Sequence, residues 1–151
     1  MSAKRTTWRR RLGLLGVGAV LVLLTGCGYD YTVSPAMTVQ AFFLYINRGA
    51  MESAWQELDL PLQEHARTTA VVAPDGLPGR SLGWPSQAAF ARAVRADLAP
   101  FLHGARMRQS VAAYAATVTA RAPGGGATLF VALHRVDNEW VFERLVVSGK
   151  A

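Results

Sequence analysis

The chain has 151 residues, 51% of them hydrophobic, and a formal net charge of +6. The length suits a single domain, and the apolar content excludes an intrinsically disordered chain. Five of the 16 basic residues lie within the first eleven positions, so little net charge is left for the domain that follows. This placement argues against a nucleic-acid-binding protein, whose basic residues would cluster on the folded domain.

The amino-terminal segment is organised like an export signal. Residues 1–11 are rich in arginine, and residues 12–24 form an uncharged apolar run. A helix of that length spans about 20 Å, which is less than the roughly 30 Å of a bilayer's hydrocarbon core. The pattern therefore predicts the helix of a signal peptide rather than a transmembrane helix.

The run ends in four residues, Leu24, Thr25, Gly26 and Cys27, that resemble the lipobox of bacterial lipoproteins. The resemblance implies a lipoprotein signal peptide over residues 1–26 and cleavage before Cys27. It also implies a diacylglycerol on the Cys27 sulfur and, usually, a fatty acid such as palmitate on the new amino terminus. Several acyl chains hold a protein on a membrane more firmly than the reversible binding of one chain. The alternatives are an ordinary secretory signal with an incidental cysteine and an uncleaved anchor.

The residues around Cys27 predict where the protein resides. Cys27 is the only cysteine, so a lipid on its sulfur leaves no thiol for a disulfide, for thiol catalysis or for a metal. Residues 27–34 comprise the lipidated cysteine and a short tether, which predicts a domain close to the membrane surface. Gly28 stands where Asp, by the lipoprotein sorting rule, would retain the protein at the inner membrane. We therefore expect the cell envelope: the outer membrane facing the periplasm in a source with two membranes, otherwise the outer face of the cell membrane.

Three helices are predicted in the first two thirds of the domain. A Ser-Pro pair begins the first, over residues 35–48, and Gly49 suits its left-handed cap. The second covers residues 50–58. The third begins at Ser86 and ends near Pro100, because proline cannot continue a helix.

The remaining segments predict strands and turns. The Leu60-Pro61 pair is expected to break the second helix, while residues 68–72 form a short strand and the glycine- and proline-rich residues 74–79 a turn. Three strand-like runs end the chain; they cover residues 107–121, 128–136 and 139–147. The Asp-Asn pair between the last two predicts a tight hairpin turn. Both faces of the last run are largely apolar, so we expect it to lie in the centre of a curved sheet.

This order of elements resembles the nuclear transport factor two-like fold, also called the SnoaL or ketosteroid-isomerase-like cone. The resemblance is carried by VQAFF (39–43) leading to NRG (47–49), by AW (54–55), and by NEWVFERL (138–145). It implies one α+β domain over residues 35–151, in which amino-terminal helices pack on a curved antiparallel sheet. Another two-layer α+β sandwich is the alternative.

The sequence predicts neither a catalytic constellation nor a metal site or cofactor. Three histidines, His65, His103 and His134, are scattered without a partner at metal-ligand spacing. Glu57 and Asp59 flank a predicted helix end, whereas Glu139 and Glu143 alternate with apolar residues on a predicted strand. All four acids are expected to be solvated. The triple glycine at 124–126 precedes a predicted strand instead of the Lys-Ser/Thr and helix of a phosphate-binding loop.

The aromatic residues give the candidates for a pocket or a partner contact. Six aromatics are numerous enough to line a pocket between helices and sheet, although aromatics at such spacing more often form a core: Phe42, Trp55, Phe90, Phe130, Trp140 and Phe142. Four residues are named as candidate pocket or partner contacts: Tyr45, Trp55, Trp84 and Tyr114. Among them Trp84, followed by a proline in a loop, is expected to be exposed. The prediction is a membrane-anchored, non-catalytic module that binds an envelope protein or a small apolar ligand; the alternative is a ligand-binding or isomerase-like enzyme of the cone fold.

Overall fold

The computed structural model describes residues 33–149. The predicted signal peptide, the lipobox, Cys27 and the first part of the tether therefore lie outside the described residues. Within the described part of the chain, no helix has the length and apolarity needed to cross a membrane.

The first helix, α1 (Pro35–Arg48), has the predicted limits. The Ser34 hydroxyl accepts a hydrogen bond of 3.2 Å from the Met37 N–H, which satisfies one of the backbone donors that every helix start leaves free. Gly49 follows with φ of 76°, a left-handed conformation that favours glycine. Both predicted ends of this helix are confirmed.

The next two helices are short and differ from the prediction. α2 (Met51–Gln56) ends earlier than expected, and α3 (Leu60–Glu64) begins where a break was predicted. The Asp59 carboxylate accepts a hydrogen bond of 2.8 Å from the Leu60 N–H, and a proline is well tolerated in the first turn. The second helix does end before the Leu60-Pro61 pair, as predicted, but the pair also starts a new helix that was not predicted, because an aspartate precedes it.

The last helix, α4 (Gln87–Leu98), starts as predicted. The Ser86 hydroxyl accepts a hydrogen bond of 3.1 Å from the Ala89 N–H. Its buried side chains lie three or four residues apart along one stripe: Phe90, Val94 and Leu98. Through this stripe α4 packs against α1 and α2.

The structure has a single antiparallel sheet of six strands, two more than the four predicted, and the short strand predicted over residues 68–72 is confirmed. The strands are β1 (Thr69–Val72), β2 (Pro78–Leu82), β3 (Arg106–Val111), β4 (Ala115–Arg121), β5 (Ala127–Val136) and β6 (Glu139–Gly149). Their order in the sheet is β1-β2-β6-β5-β4-β3, so β6 is central, as predicted. The expectation of helices packed on a curved antiparallel sheet in an α+β domain is confirmed.

The two additional strands come from segments for which the sequence predicts another structure. The predicted single strand over residues 107–121 is a hairpin, in which Val111 pairs with Ala116 across a short turn. β2 comprises proline, glycine, arginine, serine and leucine, of which only leucine is apolar. It forms a strand because β6 supplies a partner, with Gly79 opposite Ser148. This tertiary pairing leaves no local signal in the sequence.

A β-bulge changes the faces of β6. Leu133 pairs with Phe142 and Ala132 with Arg144, so Glu143 has no partner on β5. The extra residue places two pairs of apolar side chains on the same, helix-covered face: Trp140 and Phe142 before the bulge, and Leu145 and Val147 after it. Without the bulge, strict alternation along the strand would place Leu145 and Val147 on the face opposite Trp140 and Phe142.

Candidate binding groove beside the β5–β6 turn

Aromatic side chains fill the space between the helices and the sheet. The Phe42 ring centroid lies 4.7 Å from that of Phe142, and the Phe90 ring lies 5.3 Å from Trp55 and 5.0 Å from Trp84. These distances are typical of favourable aromatic packing. The predicted aromatic cluster therefore forms a core around Phe42 and Phe90, both of which are fully buried.

The candidate site is a groove where α1 meets the β5–β6 turn. Thr38, Ala41 and Tyr45 line one side, since residues three or four apart share one face of a helix. The remaining lining residues are Val33, Glu57, Asn138, Glu139 and Trp140. The groove has a volume of ≈ 290 Å³, at the lower end of the roughly 300–1,000 Å³ typical of ligand sites. It fits a small ligand or one side chain of a partner.

The segment after α2 holds Glu57 in this groove by pairing with the sheet. The Phe142 N–H donates to the Glu57 carbonyl oxygen at 3.1 Å, and the Asp59 N–H donates to the Phe142 carbonyl oxygen at 3.0 Å. These two bonds flank an isolated parallel bridge between Leu58 and Phe142. The backbone of Glu57 is therefore fixed against the start of β6, which places its carboxyl group beside Trp140.

Glu57 is the most perturbed acid of the groove. Burial raises the pKa of the Glu57 carboxyl above its usual 4.5, and the nearby Glu139 charge raises the pKa further. Both causes disfavour the ionised form. The expectation that Glu57 is solvated holds only in part: the bridge between Leu58 and Phe142 draws Glu57 toward the sheet and leaves it half-buried.

A second polar cluster lies next to the groove segment. His134 Nε2 is 3.6 Å from an Asp59 carboxylate oxygen, and His134 Nδ1 is 4.0 Å from a Glu143 carboxylate oxygen. His134 lies on β5, near the end of the strand. Within residues 33–149, no group of three or more potential ligands among His, Cys, Asp and Glu is placed to hold a metal ion.

The four predicted contact residues do not come together in one site. Tyr45 lines the groove, whereas Trp55 packs against the core and Tyr114 is 77% exposed in the β3–β4 turn. Trp84 is only 2% exposed, so the prediction of an exposed aromatic was wrong. Its indole is held between Phe90 and the carboxylate of Asp97.

The prediction that Phe130 lines the space between helices and sheet was also wrong. Phe130 alternates with the buried Leu129 and Val131 and so points to the opposite face of β5. There it lines a shallow hollow under the β1–β2 hairpin together with Val71 and Val146. No family profile, curated protein or solved structure matches the chain.

Proposed function

We propose that the chain is a lipid-anchored lipoprotein of the cell envelope, whose domain is a cone-like, non-catalytic binding module. The lipobox resemblance of Leu24, Thr25, Gly26 and Cys27 supports the anchor. The order of helices, the curved antiparallel sheet and the bulge in β6 support a cone of the nuclear transport factor two-like type. In a source with two membranes the protein faces the periplasm from the outer membrane.

The half-buried Glu57 carboxyl in the groove carries the proposal of binding. Because the protein's own aromatics occupy the interior, a ligand binds instead at the groove, which Trp140 helps to line. The Glu57 and Glu139 carboxyl groups make this end of the groove negative. An apolar group that carries an amine fits this combination, since the amine relieves the repulsion between the two acids. Such a ligand is either a small molecule or a side chain of an envelope protein.

A pair of matched small probes tests this proposal. Hexylamine and hexanoate have similar apolar chains and opposite charges. We expect hexylamine to raise the unfolding temperature and hexanoate to leave it unchanged. The Glu57→Gln variant should lose the response, while Glu52→Gln, a change at an exposed position of α2, should keep it. An equal response to both probes, or a response that survives in Glu57→Gln, would contradict the proposal.

One observation favours the isomerase-like alternative. Glu57 has a raised pKa and shares the groove with the Tyr45 phenol. A carboxyl group tuned toward neutrality and a nearby hydroxyl are the groups that proton transfer at a ketone requires. Conversion of a β,γ-unsaturated ketone to its conjugated isomer, followed by absorbance, tests this activity. The alternative requires turnover that Glu57→Gln abolishes, and it fails if the unaltered protein gives none.

A further inference from the structure

Two hairpin turns and the start of α1 lie together at one end of the domain. The Arg135 N–H donates to the Tyr114 carbonyl oxygen at 2.9 Å, which joins the β3–β4 turn to the end of β5. The Ala36 N–H donates to Gln109 Oε1 on β3 at 3.0 Å. Asn138, in the β5–β6 turn, lines one hollow with Tyr114 and another with Val33. All three segments therefore belong to the same end.

This end concentrates the exposed apolar side chains. Nine large hydrophobic residues are exposed in the described part of the chain, and five of them lie here. The five residues, which we term the hairpin-tip face, are Val33, Met37, Val111, Tyr114 and Val136. Clustered exposed apolar residues mark surfaces that contact a membrane or a partner.

The length of the tether favours the membrane over a protein partner as the surface that this face contacts. Five residues, 28–32, separate Cys27 from Val33. A fully extended chain of that length reaches about 20 Å. At the opposite end of the sheet, the Asp75 carboxylate accepts a hydrogen bond of 2.6 Å from the Ser148 hydroxyl. Ser148 is nine residues along β6 from Glu139, which lies at the hairpin tips. Nine residues of strand span about 30 Å, which is more than the roughly 20 Å reach of the tether. The tether is therefore too short to let the opposite end contact the membrane with the Val33 end directed away from it.

We infer that the hairpin-tip face docks on the lipid bilayer, with Tyr114 and Val111 in the interfacial region. The inference rests on the proposed lipid at Cys27. Tyr114 is 77% exposed, and tyrosine is enriched where membranes meet water. Arg135, whose guanidinium carbon lies 6.0 Å from the Trp140 ring centroid, can meet lipid phosphates. Exposed Asp137, in the adjacent turn, can meet the ammonium groups of phosphatidylethanolamine.

The lone cysteine of the chain makes the docking testable by site-directed labelling. The full-length lipidated protein is placed in vesicles of phosphatidylethanolamine and phosphatidylglycerol, with a fluorophore on one introduced cysteine. Tyr114→Cys is matched by Val72→Cys, since both native side chains are 77% exposed, and Val111→Cys by Leu77→Cys, both 52% exposed. Val72 and Leu77 flank the β1–β2 turn at the opposite end. We expect quenching by spin-labelled lipids and a blue shift at positions 111 and 114 but neither at 72 and 77.

The other outcomes distinguish failure of the docking from failure of the lipid anchor. Equal quenching at all four positions, or none at 111 and 114, overturns the docking while leaving the lipid anchor intact. Shielding of positions 111 and 114 in cells but not in vesicles also overturns it, and indicates a protein partner. If the unaltered chain takes up one label, Cys27 carries a free thiol, and the lipid anchor fails together with the docking.

Discussion

The indole N–H of Trp84 donates a hydrogen bond of 2.9 Å to the carboxylate of Asp97. Trp84 was predicted to face solvent from its Trp-Pro loop. Instead the bond ties the loop before α4 to the last turn of that helix, and it satisfies an indole donor that is buried with the ring. Trp84 thus stabilises the fold and is not a partner contact.

Asp97→Ala should lower the free energy of unfolding by about 1–3 kcal/mol, the usual cost of leaving a buried donor unsatisfied. Asp97→Asn should cost less, because the amide oxygen still accepts the indole hydrogen. Urea unfolding of the chain from residue 28 onward measures both. Equal midpoints for the Ala variant and the unaltered protein would mean that Trp84 Nε1 finds another acceptor.

Trp140→Ala should destabilise the domain by about 3–5 kcal/mol, the usual cost of removing a buried large aromatic. Trp140 is 7% exposed and belongs to the core. Urea unfolding again gives the value, with Leu77→Ala as an exposed control expected to change little. A midpoint that does not move would contradict the observed register of β6.

The helices were predictable because their signals are local. Ser34 and Gly49 mark the ends of α1, and Ser86 marks the start of α4. The sheet was less predictable, since β2 exists through its pairing with β6 and carries no hydrophobic alternation. The bulge in β6 was also missed, because a strict alternation of inward and outward side chains assumes that no extra residue interrupts the strand. The adjacent polar residues Glu143 and Arg144 were the available signal of the bulge.

The groove was predictable only in part. Tyr45 was named as a pocket candidate, and its helix was placed correctly. Glu57 was missed, because its burial follows from the bridge between Leu58 and Phe142, residues that are 84 positions apart. A contact of that separation leaves no periodic trace in either segment.

Glu57→Gln should stabilise the protein at neutral pH. Burial and the Glu139 charge raise the pKa of Glu57 above 4.5 in the folded state, so the folded protein holds this proton more tightly than the unfolded chain. The stability that Glu57 contributes is therefore lost as pH rises from 4.5 through the raised pKa. Gln, which does not ionise, should give a higher urea midpoint at about pH 7 and an equal one at about pH 4. The same pH profile in Glu52→Gln would contradict this account.

Asn138→Ala should destabilise the β5–β6 hairpin, whereas Asn138→Gly should not. Asp137 and Asn138 have φ of 47° and 67°, the left-handed conformation of a tight two-residue hairpin turn, as predicted. Alanine tolerates that conformation poorly, at a cost of about 1 kcal/mol, and glycine adopts it freely. Thermal unfolding of the two variants compares them directly, and an Ala variant as stable as the Gly variant would show that the turn adopts another conformation.

Cys27→Ser should abolish lipidation and release the protein from the membrane fraction. Serine has no thiol to form the thioether, so the signal of a clickable fatty acid on the protein should disappear. Gly28→Asp is the matched variant, because it leaves the cysteine in place and alters only the proposed sorting residue. In a cell with two membranes it should keep the fatty-acid label and move from the outer to the inner membrane on a density gradient. Label persisting on the Ser variant would refute lipidation at Cys27, while an unchanged location of labelled Gly28→Asp would refute the sorting role alone.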